Sequence, residues 1–397
     1  MKTTRRTFLR CGGASAGVAA FHLLPARAAG ARSPSGKIVM GMIGVGGMGT
    51  VNLEAFLGLG DVVVKAVCDV DARKRAAAKA RVDARYGNRD CETVADFREL
   101  CDRPDLDAVM IAVPNHAHAR IGVAAVQHGK DVFGEVPFAH TREEGQALLR
   151  AVSERARVWQ SGSWQRTRPE FRRAVAAVRA GRLGRVARVE VGLPGGGRGP
   201  VWQGASPCPD GLDWPAWQGA ASDRAYPGFI DFHWRWVSAW GGGILGDWIG
   251  HHGDVALWGA GCSVDPERVQ GEGAYPVDGL YDTAISFHFT ARYRDGMEVT
   301  VADGGRLERG VGVRWIGADG AWIWVTRGAL QASDPRLLEE VDSSGLGADI
   351  GLHRNFIDCV KSRREPAVPA AAAHLASSLG QLGEAAMRSG ERGVRWG

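Results

Sequence analysis

The sequence predicts a two-domain α/β protein, a helix-covered parallel sheet followed by an α/β domain on a mixed or antiparallel sheet, and three observations predict it. From Lys37 to about residue 157, apolar runs alternate with helical stretches, the pattern of a parallel sheet covered on both faces. After "RVWQSGSWQRTRPEF" the texture changes to alternating runs joined by Asp-Gly turns, which read as β-hairpins. The stretch beyond residue 28 is also long for one core at roughly 370 residues, and domains of about 100 to 200 residues make two the natural count.

In the first domain, "KIVMGMIG" reads as a buried strand, followed by a Gly-rich turn and a short helix through Phe56. "DVVVKAVCD" is a second strand and Asp71 to Tyr86 a long Ala/Arg helix. "DLDAVMIAVP", a further helix and "KDVFGEV" continue the alternation. At "HTREE", Thr141 and Glu144 stand three apart as a capping box that opens another helix. In the second domain a helix is expected from Pro169 to Ala180, then a strand "RVARVEVGL" and a Gly/Pro/Trp-rich stretch from Pro194 to Trp240. "TAISFHFTARYRDGMEVTVADG" and "VGVRWIGADGAWIWVTRG" are the hairpins, and two helical segments flank Pro366 and Pro369.

The amino-terminal stretch is of another kind. Arg5 and Arg6 precede Phe8 and Leu9, a mildly apolar run follows from Cys11 to Leu24, and Ala26-Arg27-Ala28 offers a small-residue cleavage site. Residues 1–28 therefore read as a twin-arginine export signal. Gly12, Gly13, Gly17 and Pro25 interrupt a run too short to span a bilayer, so a membrane anchor is not expected. Without the five basic residues of that segment the chain carries 44 basic and 44 acidic residues, which offers no charge excess for binding nucleic acid. Cys68, Cys91, Cys101, Cys208, Cys262 and Cys359 show no paired metal-type spacing and no disulfide framework.

Two constellations carry chemistry. "GMIGVGGMGT" places Gly44, Gly46 and Gly49, with Met48 between them, as G-x-G-x-x-G between a strand and a helix, where bare backbone and a helix N-terminus accept a pyrophosphate. The second strand ends at Asp69, twenty residues after Gly49, in position to accept hydrogen bonds from a ribose 2′-OH. NAD is the expected cofactor, and Arg73 leaves NADP open. The second constellation is "GGGILGDWIGHHGDVALW", where Asp247 and His251 lie four apart on one helix face, so that the carboxylate can orient an imidazole base. His116-Ala117-His118, taken with Asp247, His251 and His252, also has the residue types of a metal site, but residues at a strand end beside a dinucleotide more often line the cofactor; no metal is expected. Gln165 and Arg166 at the domain junction, and Arg235 and Trp236 in "HWRWVSAW", are candidates to contact a carbohydrate, with the tryptophans shared between pocket and core.

These stretches, with "VMIAVPNHAHARIGVAAVQHGKDVFGEVP", "QRTRPEFRRAVAAVRAGRLGRV", "GLDWPAWQG" and "HRNFIDCVKSRREP", resemble in order the Gfo/Idh/MocA family of NAD(P)-dependent oxidoreductases. The resemblance implies an N-terminal Rossmann domain over 37–157 and, over 158–397, a substrate domain with an open-faced mixed sheet presenting a sugar pocket to the nicotinamide. It implies that Asp247 and His251 form the catalytic Asp-x-x-x-His pair, and that Pro114, Asn115, His118 and Glu135 lie at the cofactor. One departure stands out: the family's Glu-Lys-Pro is here Glu135-Val136-Pro137, so the lysine that holds the reacting oxygen is missing. Arg166 is the candidate substitute.

Export with a bound dinucleotide implies a cofactor that is retained, because no ordinary NAD pool exists outside the cytoplasm. The expected function is hydride transfer at a carbinol carbon of a sugar, cyclitol or glycoside. Its alternatives are a glycosidase or lyase working through transient oxidation, and a sugar-binding homologue disabled at Val136. A small-molecule sugar partner in the periplasm follows, without nucleic acid and without membrane attachment after cleavage, and self-association is left open.

Overall fold

Glycine-rich and β-branched runs become sheet edges and cores in the computed structural model, which describes residues 36–197, 204–228, 230–346 and 350–390, and the backbone of 394–395. The export segment expected over residues 1–28 lies outside the described residues. The first sheet contains β1 (Ile38–Ile43), β2 (Val62–Cys68), β3 (Glu92–Val94), β4 (Ala108–Ile111), β5 (Asp131–Gly134) and β6 (Trp159–Ser161). All are parallel, in the order β3-β2-β1-β4-β5-β6, the strand order of dinucleotide-binding sheets with its switch point between β1 and β4. The sheet thus runs past the expected boundary at 157 to take in β6, and the short β3 had no signal strong enough to mark it in the sequence.

Helices α1 (Gly47–Leu57), α2 (Ala72–Tyr86), α3 (Phe97–Asp102), α4 (Asn115–Gln127) and α5 (Arg142–Glu154) cover this sheet. Asp71 caps α2 by accepting the Arg73 N–H, and Thr141 and Glu144 form the full reciprocal capping box of α5.

The second sheet contains β7 (Val186–Leu193), β8 (Arg268–Ala274), β9 (Ser286–Arg292), β10 (Glu298–Asp303), β11 (Gly312–Gly317), β12 (Trp322–Thr326), β13 (Ala329–Ala332) and β14 (Val394–Arg395). Their order is β13-β12-β11-β7-β10-β9-β8-β14, and the parallel β7–β10 pair among antiparallel neighbours makes the sheet mixed. Its buried face packs against α6 (Pro169–Arg179), α9 (Asp254–Ala260) and α11 (Ala370–Ser389), joining Phe171, Val175, Val255, Leu257 and Leu379 to Val189, Phe287, Val299 and Trp315 in one core. The opposite face carries polar, half-buried side chains such as Glu190, His288, Thr290 and Arg314.

The remaining helices are α7 (Trp214–Gln218), α8 (Gly243–Trp248) and α10 (Leu352–Ser362). Although α10 follows the second sheet in sequence, Leu352, Phe356, Ile357 and Val360 pack into the core of the first with Met40, Phe56 and Phe133. The chain therefore returns to its first domain, and the described residues fall within one compact unit.

Candidate active site

The glycine-rich turn is built by steric necessity. Gly44 has φ +78°, and a Cβ there would meet the Ala112 carbonyl oxygen at 2.3 Å; a Cβ on Gly49 would stand 1.9 Å from the Gly44 oxygen. Gly46 and Gly47 instead face open space, and Gly46 caps α1 without any side-chain hydrogen bond. The turn is a bare cradle at the N-terminus of an eleven-residue helix, with room for a pyrophosphate. Met48 is 42% exposed at its rim.

Asp69 closes the cradle from β2. Its carboxylate accepts the Val45 N–H at 3.0 Å and the Asp71 N–H at 3.0 Å. Burial raises its pKa against these two bonds. Each oxygen keeps a lone pair for a ribose hydroxyl, so the residues present fit a dinucleotide.

At the carboxyl edge of β4, Pro114 precedes α4 and Asn115 opens it. Buried Asn115 lies against α8, its Nδ2 3.8 Å from where a Cβ on Gly246 would stand, and the His116 N–H donates to the Trp240 carbonyl at 3.2 Å, bringing the dinucleotide edge and α8 together. Asp247 also accepts a 2.6 Å hydrogen bond from Arg235 Nε, and the guanidinium lies over the rings of Phe232 and Trp234. Burial lifts the carboxyl, chiefly against the pull of Arg235.

His251 follows within a single π turn, Ile249–Gly253, that joins α8 to α9, a kind of irregularity frequent at functional sites. Its pKa is lowered to about 3, first by burial, then by Arg327 and His252, so the imidazole is neutral at physiological pH. Its Nδ1 is buried without a hydrogen bond. The expectation that Asp247 orients His251 is corrected here: the carboxylate is taken by Arg235, and Asp247 and His251 have no hydrogen bond among the described contacts.

Other expected site residues are also reassigned. Arg166 is 7% exposed and grips Asp254 through Nε at 2.7 Å and Nη2 at 2.5 Å, while Ser163 Oγ donates to the same carboxylate at 2.7 Å. That guanidinium is committed to tying the segment after β6 to α9, and is no substitute for the missing lysine. Gln165 is fully buried, with neither amide atom hydrogen-bonded, an interior group rather than a cleft-facing contact. Trp236 belongs to an aromatic core with Trp214, Trp234, Trp240 and Tyr281. Arg235 is at the site but holds Asp247 instead of facing a ligand.

His118 is 1% exposed, contacts the Phe138 carbonyl and packs edge-on against Trp159 beneath the sheet edge, so it supports the site without lining it. Glu135 is buried too, and accepts a 2.8 Å hydrogen bond from Asn52 Nδ2, while Asn52 Oδ1 meets His353 Nε2 at 2.8 Å. Burial raises Glu135 to about 7, and Asn52 and His353 went unnoticed in the sequence because nothing local links three positions just after β5, on α1 and on α10. Val136 rests against the π turn: a Cβ on Gly250 would come within 2.8 Å of the Val136 Cβ. A cavity of about 350 Å³ opens on the other face of α8, lined by Asn115, Pro137, Gly242, Leu245, Gly246 and residues of α11, but not by Asp247 or His251.

Residues 38–163 match the Gfo/Idh/MocA family, described as an oxidoreductase family with an NAD-binding Rossmann fold. The chain is 32% identical over 151 residues to a levoglucosan dehydrogenase of Pseudarthrobacter phenanthrenivorans, a match covering 37% of this chain and 38% of that protein. It is 33% identical over 161 residues to a glycosyl hydrolase family 109 protein of Shewanella sp. (strain W3-18-1), covering 35% of each. These sequence matches span well under half the relatives' own length. Among solved structures, the WlbA dehydrogenase of Bordetella pertussis, in complex with NADH and UDP-GlcNAcA, has a TM-score of 0.66 over 91% of this chain and 99% of that one at 18% identity, a likeness of fold.

Proposed function

Because this chain belongs to the Gfo/Idh/MocA oxidoreductase family through its NAD-binding Rossmann domain at residues 38–163, we propose that it oxidises a carbinol of a sugar, cyclitol or glycoside with a retained NAD. The observation that carries this reading is the approach of Asn115 to α8: a Cβ on Gly246 would stand 3.8 Å from Asn115 Nδ2, and the His116 N–H donates to the Trp240 carbonyl at 3.2 Å. It fixes the helix of Asp247 and His251 at the carboxyl edge of β4, beside the switch point where such sheets receive a dinucleotide.

Bound NAD supplies the acceptor for a hydride. Gly44, Gly46 and Gly49 shape the cradle for its pyrophosphate, and Asp69 receives a ribose hydroxyl. The neutral His251 imidazole takes the carbinol proton through its other ring nitrogen, Nε2, since Nδ1 is buried. Asp247, held by Arg235, places negative charge near the imidazolium that results. Val136 offers no cation to the carbinol oxygen, so this preorganised stabilisation is absent and the step is expected to be slow by about 10² to 10³ relative to a site that has it.

The similarity to a glycosyl hydrolase family 109 protein favours a second reading, in which oxidation is transient and the same hydride returns after bond cleavage. That cycle is redox-neutral and suits export by the twin-arginine route, which we include in the proposal on the strength of Arg5 and Arg6. Protein purified with its dinucleotide is mixed with sugars, cyclitols and glycosides while NADH absorbance and aglycone release are followed. NADH without aglycone supports the first reading; aglycone without lasting NADH supports the second; neither, across the panel, contradicts both.

A further inference from the structure

We propose that Arg327, on the turn between β12 and β13, anchors an anion subsite beside His251, and that the substrate is a sugar derivative bearing a carboxylate. The proposal rests on the reading of the His251 site as a substrate site and specifies what that site selects.

The guanidinium of Arg327 lies 4.7 Å over the Trp248 ring, whose centroid is 6.0 Å from that of His251. Guanidinium and imidazole therefore neighbour the same indole. The turn carrying Arg327 is pinned, because Glu170 Oε1 accepts the Gly328 N–H at 3.0 Å and the Arg168 Nε at 2.7 Å. The cation is held over the indole by its turn as well as by its side chain.

Nearby arginines have acidic partners: Arg168 has Glu170, Arg166 has Asp254 and Arg235 has Asp247. Among the described residues Arg327 has none. Partial burial and the charge of Arg168 both act against its positive form, with no acid to offset them. A guanidinium does not shed its proton under these conditions, and its exposed part is open to an incoming anion that offsets both effects. With one face on the indole, its N–H edge remains for the paired hydrogen bonds that a carboxylate accepts. Because Arg168 is already matched by Glu170, one unmatched positive charge is present, which suits a carboxylate better than a doubly charged phosphate ester.

The position also bears on the chemistry. Arg327 is the standing positive charge that holds His251 down beyond the effect of burial. A carboxylate paired to Arg327 removes part of that effect and makes His251 a better base when the substrate is in place.

The test is calorimetric titration of the NAD-loaded protein with D-glucuronate and D-galacturonate against D-glucose, D-galactose and glucose 6-phosphate, repeated at rising salt. The expected result is at least one uronate bound roughly tenfold or more tighter than its neutral counterpart, the size of a charge-assisted hydrogen bond. Salt should weaken that preference; R327Q should bring the uronate down to the neutral sugar with NAD content unchanged, and R327K should recover part of it. No uronate preference in the wild type, a preference that survives R327Q, or a stronger preference for the phosphate ester overturns the proposal. Uronate binding without NADH formation counts instead against the oxidation reading and leaves the subsite standing.

Discussion

Asp69 joins the fold to the proposed cofactor site in one side chain. Its carboxylate fastens the Val45 end of the glycine turn and presents its remaining lone pairs where a ribose would lie. Asp69→Ala should weaken NAD more than NADP, because the substitution removes a hydrogen-bond acceptor for the 2′-OH together with a charge that repels a 2′-phosphate. Calorimetry on the two dinucleotides reads the difference, and equal losses would count against the assignment. The glycine turn and Asp69 were legible in the sequence because their spacing is set by one strand–turn–helix unit. The partners of Asp247 were not: Arg235 is a neighbour in sequence that read as a ligand contact, and only the folded chain shows its Nε on the carboxylate at 2.6 Å.

At the scale of elements, the clearest lesson comes from Arg166. Placed at the domain junction, it read as a substrate residue, yet its partner Asp254 lies 88 positions away on α9, beyond any local pattern. Both side chains are buried, and Ser163 adds a third hydrogen bond to the pair. Arg166→Ala should strand the Asp254 carboxylate and lower stability by about 3–5 kcal/mol, the usual result of removing one partner from a buried ion pair. Urea denaturation measures this; a loss below about 1 kcal/mol would show that solvent reaches Asp254 and that the segment after β6 is not held as described. Most strands, the capping box of α5 and the hairpins were readable because periodicity and turn chemistry are local. The π turn carrying His251 was not, because it depends on how α8 and α9 join over the second sheet.

Across the whole molecule, burial has collected several neutral histidines. His118, His252 and His353 are lowered to about 4 and His251 to about 3, each mainly by burial, against an ordinary value of 6.5. Between those values and pH 6.5 the unfolded chain binds protons that the folded chain refuses, so these groups make stability rise with pH across roughly 4 to 6.5. Glu135 acts in the opposite sense, since its pKa is raised from 4.5 to about 7 and its contribution falls as pH rises through that interval. Four histidines outweigh one glutamate. The urea midpoint should therefore climb between pH 4.5 and 6.5, and a flat or falling profile would contradict the burial assigned to them. The return of α10 to the first domain, with His353 in that buried set, was the least legible feature of the architecture, because amphipathic helices do not say in sequence which sheet they will cover.

The central claim is that His251 moves the carbinol proton in a site whose dinucleotide is bound independently of it. Single-turnover NADH formation, measured on wild-type protein and His251→Ala loaded with equal amounts of NAD and mixed with the best sugar of the panel, tests this most directly. The account predicts that the variant keeps its NAD and loses the NADH signal by at least about a hundredfold in rate, the typical worth of a positioned general base. Unchanged NADH formation in the variant would remove His251 from the mechanism and contradict the account.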